Sequence, residues 1–83
     1  MNTKVEVGVR TEEGKKHLVW CKERALQYVE SGDLTLAWNS MLSDLSKNEE
    51  LKNHPAIELG NMLFSSDKLN TQQAMKKFIE DFN

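Results

Sequence analysis

The sequence has little cysteine and no long apolar run, and each shortage excludes a class of protein. The single cysteine, Cys21, cannot form a disulfide within the chain, so packing alone must hold the fold together. No stretch is long and apolar enough for a membrane span or for the hydrophobic region of a signal peptide. We therefore expect an intracellular protein that does not cross a membrane.

An excess of charge of one sign is also lacking. Eleven basic and thirteen acidic residues leave a formal net charge of −2. A nucleic-acid-binding domain usually carries a basic surface, and a protein mimic of DNA is strongly acidic, so this balance favours neither. What is present is an ordinary globular composition, 39% hydrophobic and 29% charged, over 83 residues. That length supports one domain, residues 1–83, and is too short for two.

Residues 1–10 alternate valines with polar residues and glycine, and this period of two is typical of a short strand. No second strand pattern follows, so Val5, Val7 and Val9 have no strand to pair with inside the chain. Three interpretations stay open for this valine-alternating arm. It is disordered, or it pairs with a second copy across a homodimer, or it adds a strand to the sheet of a partner.

Residues 11–83 predict a helical core of three to four short helices. Apolar residues recur there at spacings of three and four, which places them on one face of a helix. The clearest stripe follows the turn at Ser31-Gly32 and comprises Ala37, Trp38, Met41, Leu42 and Leu45. The predicted fold class is therefore all-α, a small bundle preceded by the valine-alternating arm.

Capping residues predict where the first two helices begin. Thr11, followed by two glutamates, has the form of a helix start, because its hydroxyl accepts a backbone N–H and the acidic residues favour the positive end of the dipole. Gly14 weakens the first turn, so we expect the firm helix to start nearer Lys15. Either Asp33 or Thr35 caps the second helix.

The last two helices have their own start signals. Pro55 suits the first turn of a helix, and Asn53 or His54 precedes it as the cap. Asn70 and Gln73 have the spacing of a capping box, which predicts the start of the fourth helix.

The third helix is the most apolar of the four, so we expect it to be the most deeply buried. Gly60 lies inside this helix and lowers its stability relative to alanine. The usual compensation is the close approach of a neighbouring helix. The apolar residues of this segment are Ala56, Ile57, Leu59, Met62, Leu63 and Phe64.

No set of catalytic or metal-binding residues occurs at a spacing that supports chemistry. His17 and Cys21 stand four apart on one predicted helix, but no third group orients them, and Cys21 falls on the apolar stripe. Together with His54 they are too few and too scattered for a zinc site. The acidic residues between positions 44 and 50 lack the ligand pattern of a calcium loop. We predict no enzyme activity, no metal and no cofactor.

Two aromatic residues of the first helix are candidate partner contacts. Trp20 and Tyr28 lie at the flanks of its apolar stripe, where a ring either covers the core or stays accessible. Large aromatics dominate the binding energy at interface centres, so both are predicted contacts if the fold exposes them. Trp38 lies within its stripe and is expected in the core. The valine-alternating arm is the second candidate surface, through strand addition.

A DNA-binding interpretation can be built on the last two helices as a helix-turn-helix. The residues that contact bases and phosphates in this interpretation are Gln72, Gln73, Lys76 and Lys77. The connection between the two helices is longer than usual, and the basic surface is thin. Nucleic-acid binding is therefore the weaker alternative.

Three stretches resemble small, largely uncharacterised helical proteins of tailed bacteriophages and prophages. They are Lys22 to Leu34, His54 to Gly60 and Met75 to Asn83. The likeness covers roughly Trp20 to Asn83 and leaves the arm unmatched. It transfers no catalytic residue. It implies a protein of the host-cell cytoplasm that binds a host protein, such as a defence system, the transcription apparatus or a nuclease.

The sequence thus predicts a non-enzymatic protein-binding module, specifically a phage-encoded modulator or inhibitor that acts by covering a functional surface of a host protein. One alternative is a virion structural or assembly protein, in which self-association replaces the host target. The other is the helix-turn-helix DNA-binding protein.

Overall fold

Residues 10–83 are described by a computed structural model, and they form four α-helices joined by short connections. The helices are α1 (Glu12–Glu30), α2 (Leu34–Leu45), α3 (Pro55–Ser65) and α4 (Gln72–Asp81). This part of the chain contains no strand, and the predicted all-α bundle is confirmed. The predictions for the arm, including Val5, Val7 and Val9, lie outside the described residues.

Each of the four helices begins at a side chain that accepts a hydrogen bond from a backbone N–H two or three residues later. These caps are Thr11, Asp33, His54 and Thr71. The bonds measure 2.9 to 3.1 Å and satisfy donors that an uncapped helix would leave without partners. Asp33 rather than Thr35, and His54 rather than Asn53, therefore set the starts of α2 and α3.

The predicted Thr11 cap is confirmed, but two details of the predicted helix starts are wrong. α1 begins at Glu12 rather than near Lys15, because the cap hydroxyl binds the N–H of Gly14 and holds the first turn in place. Gly14 is itself buried. The fourth helix is capped by Thr71 and not by Asn70, since the Thr71 hydroxyl is the group that reaches a free N–H of the first turn.

The hydrophobic core is built mainly from α1, α2 and α4. α1 makes its most extensive contacts with α2 and a smaller set with α4. The core also takes in Leu51, which is fully buried although it lies in the polar connection between α2 and α3. The buried apolar residues are Leu18, Cys21, Ala25, Val29, Ala37, Trp38, Met41, Leu45, Leu51, Leu69, Met75, Ile79 and Phe82.

α3 is the most apolar helix and yet the least buried. Within it only Gly60 is buried, whereas the side chains of Leu59 and Met62 are 48% and 64% exposed. The expectation that α3 is the most deeply buried is therefore wrong. A β-carbon on Gly60 would lie 2.5 Å from Trp38 Cζ2 and 2.9 Å from Phe78 Cε2. The side chains of Trp38 and Phe78, and not the close approach of a neighbouring helix as expected, therefore occupy the space at Gly60.

Candidate protein-binding surfaces

The Trp20 cluster consists of Trp20 and the four residues around it, His17, Arg24, Asp44 and Lys47. The Trp20 side chain is 39% exposed. The Arg24 guanidinium lies 5.0 Å from the centroid of a Trp20 ring, and the Lys47 ammonium lies 5.4 Å from one. The ring of His17 is 5.2 Å away. Cations at these distances are attracted to the face of an aromatic ring, so Trp20 is held in position while part of it meets solvent.

The buried residue Asp44 bonds to three other members of the Trp20 cluster. Its side chain is buried, and its carboxylate accepts hydrogen bonds from Arg24 Nε at 2.7 Å and from Lys47 Nζ at 3.2 Å. His17 Nε2 donates to the backbone carbonyl of Asp44 at 2.6 Å. Burial raises the pKa of Asp44, but the two hydrogen-bonded cations outweigh it and hold that pKa below its usual range. The ionised carboxylate therefore fastens α1 to the end of α2.

His17 and Cys21 share a helix but do not form a reactive pair. Cys21 is fully buried, and burial, together with the charge of Asp44, raises the pKa of its thiol to about 12. A thiol with so high a pKa is a poor nucleophile at neutral pH. His17 is directed to a backbone carbonyl. Among residues 10–83, no group of three or more His, Cys, Asp or Glu side chains is placed to hold a metal ion.

The other predicted aromatic contact, Tyr28, is less accessible than Trp20. It lies eight residues further along α1, is half-buried and packs against the core. The structure thus brings Trp20 and Tyr28 onto one side of the same helix, since residues four and eight apart lie close to one face. It exposes Trp20 more than Tyr28.

Glu50 fixes the chain where α1 begins. Its carboxylate accepts hydrogen bonds from the Arg10 N–H at 2.8 Å and from the Thr11 hydroxyl at 2.6 Å. The bond from the Thr11 side chain is the main cause that lowers the pKa of Glu50. Because the carboxylate belongs to the connection between α2 and α3, the start of α1 is tied to that connection.

The α3 surface, which we define as Pro55, Leu59, Met62 and the groove beside them, is the second candidate. Its three residues follow one another at spacings of four and three, and all are exposed. The groove has a volume of about 580 Å³ and a mostly apolar lining. Its residues are His54, Pro55, Ala56, Leu59, Phe78, Asp81, Phe82 and Asn83.

The α3 surface is not among the sites predicted from the sequence. The apolar composition of α3 predicts burial, but composition alone does not separate a core helix from an exposed apolar one. A groove between α3 and α4 also depends on how two helices distant in sequence are placed. The pattern of either helix alone does not contain that information.

Comparison with known proteins identifies no family. No protein-family model matches the chain, and neither a curated protein nor a solved structure does. None of the helices within residues 10–83 combines the length and the apolar character that crossing a membrane requires. The function must therefore be argued from the two surfaces just described.

Proposed function

We propose that the protein is a non-enzymatic protein-binding module that covers a functional surface of its target. One observation carries this proposal: the most apolar helix, α3, keeps Leu59 and Met62 exposed beside an apolar groove. An exposed apolar patch next to a concave groove is typical of protein interaction sites. Occlusion of the target's surface needs no catalytic group on this chain.

The exposed side chains of α3 contribute little to the stability of the fold. The helix is attached to the bundle by Gly60 and by partly buried residues that pack against the core. These are Ala56, Ile57, Leu63 and Phe64. Leu59 and Met62 gain little from folding, because hydrophobic stabilisation is proportional to the apolar area removed from water. A partner that covers them would remove that area.

The resemblance of Trp20 to Asn83 to small phage proteins supports a host protein as the target. On this proposal the protein is a phage-encoded modulator or inhibitor of a host defence, nuclease or transcription complex, and it acts in the host cytoplasm. Trp20 and Tyr28 remain proposed contacts on a separate surface. Self-association in a virion is the competing function, and the experiment below distinguishes the two.

The test is affinity capture from a bacterial lysate with the full chain. The tag is placed at the N-terminus, because Phe82 and Asn83 line the α3 groove. A double variant, Leu59→Gln with Met62→Gln, is compared with Leu36→Gln, which changes an exposed leucine of α2. We expect one stoichiometric host protein that the double variant loses and the Leu36→Gln control retains. The identified protein is then purified and must bind directly.

Two results would contradict the proposal. One is capture of the same proteins by wild type and double variant alike, which would show that the α3 surface does not take part. The other is recovery of the chain alone, as ordered oligomers that the double variant dissociates. That result would replace host binding with self-assembly.

A further inference from the structure

We propose that the Trp20 cluster is a second docking site whose partner is an acidic, carboxylate-rich segment of a protein. This site is independent of the α3 surface, which is apolar and belongs to another helix. The proposal rests on the charge balance of the cluster, on the exposure of its cations and on the rigidity of its packing.

Two cations of the cluster share one carboxylate. Arg24 and Lys47 are both paired with Asp44, and the part of the chain that the structure describes gives neither of them a second acidic partner. Their side chains are 45% and 55% exposed, whereas that of Asp44 is 2% exposed. The negative charge is therefore covered and the positive charges face solvent.

The neighbours of Trp20 on α1 do not remove this excess. Lys16 lies four residues before Trp20 and Glu23 lies three residues after it, so both are on the same side of the helix. Their charges offset each other. One positive charge is thus left at the Trp20 cluster of a protein whose formal net charge is −2. Because the protein as a whole is negatively charged, an acidic partner is attracted only through local contact with the Trp20 cluster.

The donors and the ring of the cluster suit a carboxylate partner. Arg24 bonds to Asp44 through Nε, and a guanidinium has five N–H donors in a fixed fork, so its terminal donors can bind a second carboxylate. The partly exposed Trp20 ring offers apolar area beside them. Tryptophan and arginine are the residues most enriched at the energetic centres of interfaces.

The cluster is also ordered before binding. Asp44 is buried and ties Arg24 and Lys47 down, and both cations lie against the Trp20 rings. Side chains that are already fixed lose less conformational entropy when a partner binds. Two cations are too few for nucleic acid, which is held through many phosphate contacts. The geometry therefore favours a short acidic protein segment.

The experiment uses the full-length, ¹⁵N-labelled protein, and a short poly-L-glutamate serves as the probe. The chain has two tryptophans, so two indole N–H signals are observed. Trp38 is buried, and its Nε1 donates to Asn61 Oδ1 at 2.9 Å, which makes it an internal reference. We expect the Trp20 indole signal to shift in a saturable manner while the Trp38 signal stays in place.

Three variants test the contacts. Lys47→Gln leaves Asp44 its bond to Arg24, and we expect it to weaken probe binding roughly two- to fivefold, the range for one exposed ion pair. Trp20→Ala lacks the reporter indole, so its binding is followed through the backbone amide signal of Arg24, and it should weaken binding further. The matched control is Lys76→Gln, which removes the same charge from an exposed position of α4 and should leave binding unchanged.

The proposal is wrong if both indole signals shift alike, or if Lys76→Gln weakens binding as much as Lys47→Gln does. It is also wrong if an oligothymidylate of equal charge binds the cluster more tightly than poly-L-glutamate, because the site would then recognise nucleic acid.

Poly-L-glutamate binding should survive the Leu59→Gln, Met62→Gln double variant. A failure at Trp20 thus leaves the α3 proposal standing, and a failure at α3 leaves this one.

Discussion

α2 and α3 are apolar helices of 12 and 11 residues, but they have opposite relations to the core. α2 buries both its small and its large apolar residues, whereas α3 buries only Gly60. The Trp38 side chain marks the place where the two helices meet. It extends from α2 to the backbone of α3 and occupies the place where a larger residue at position 60 would stand. The apolar content of a helix alone therefore does not determine how deeply the helix is buried.

The two helices consequently differ in what they contribute to the molecule. α2 supplies buried area, and its carboxylate Asp44 is tied to α1. α3 buries only its small residue Gly60 and leaves apolar side chains exposed. Four sets of substitutions test whether this division is correct, and the first should have the largest effect.

Trp38→Ala should lower the free energy of unfolding by about 3–5 kcal/mol, the range for removing a large buried aromatic side chain. The indole contributes packing at Gly60, an edge contact to Phe78 with centroids 5.7 Å apart, and the hydrogen bond to Asn61. Urea unfolding followed by circular dichroism measures the loss. Trp20→Ala is the control and should cost about 1 kcal/mol or less, as expected for surface cation–π contacts. Equal losses would refute the assignment of Trp38 to the core.

Gly60→Ala should destabilise the protein by about 1–3 kcal/mol, the usual cost of overpacking. Helix propensity alone predicts the opposite sign, since alanine is favoured over glycine by about 1 kcal/mol inside a helix. The new β-carbon overlaps the Trp38 ring, which is rigid and cannot move aside cheaply. In a Trp38→Leu background the loss should shrink or reverse, and a double-mutant cycle measures this coupling. Strict additivity of the two changes would contradict the contact.

Asp44→Asn should cost about 1–3 kcal/mol at pH 7, because the amide cannot satisfy two cations as a carboxylate does. The pKa of Asp44 is lowered by folding, so its contribution is complete above the ordinary value of 3.8 and is lost as the pH falls through the folded-state value. The difference between wild type and variant should therefore shrink below about pH 4.

Urea titrations between pH 7 and pH 3 check this prediction. Asp81→Asn breaks the exposed pair with Lys77 and serves as the control, with an expected loss of at most about 0.5 kcal/mol. A wild-type advantage at Asp44 that grows towards acid would show that the carboxylate is not stabilised by its cations.

Leu59→Gln and Met62→Gln should each change stability by no more than about 0.5 kcal/mol, as exposed positions usually do. The matched control on the other helix is Met41→Gln, which places an amide in a fully buried position and should be strongly destabilising. Thermal unfolding of the three variants measures the contrast. A loss above about 1.5 kcal/mol at Leu59 or Met62 would mean that the α3 surface serves folding, because surface changes rarely cost that much.

Local sequence patterns were sufficient to predict most of the fold. The stripe around Trp38 predicts the buried face of α2. The inward face of α1 is predicted from the spacing of Leu18, Cys21, Ala25, Leu26 and Val29, of which all but the partly buried Leu26 are buried. Leu51 shows the limit. It lies in a polar connection without periodicity, and only the folded arrangement of the helices around it reveals that it is buried.

The candidate surfaces were less predictable, for a physical reason. Trp20 could be placed at the edge of a stripe, but its surroundings include Lys47, which lies in the connection after α2. The bond between Arg24 and Asp44 joins residues 20 positions apart, and it forms only in one register of α1 against α2. A single sequence contains the periodicity of each helix and does not contain that register.

The buried thiol of Cys21 has a practical consequence for studying this molecule. It is the only cysteine of the chain, and in the folded protein it is covered and protonated at neutral pH. A cysteine introduced at an exposed position, such as Val19→Cys beside Trp20, would therefore react with a maleimide dye ahead of the native one. A fluorophore can thus be attached at a chosen point of the surface without first removing the natural cysteine.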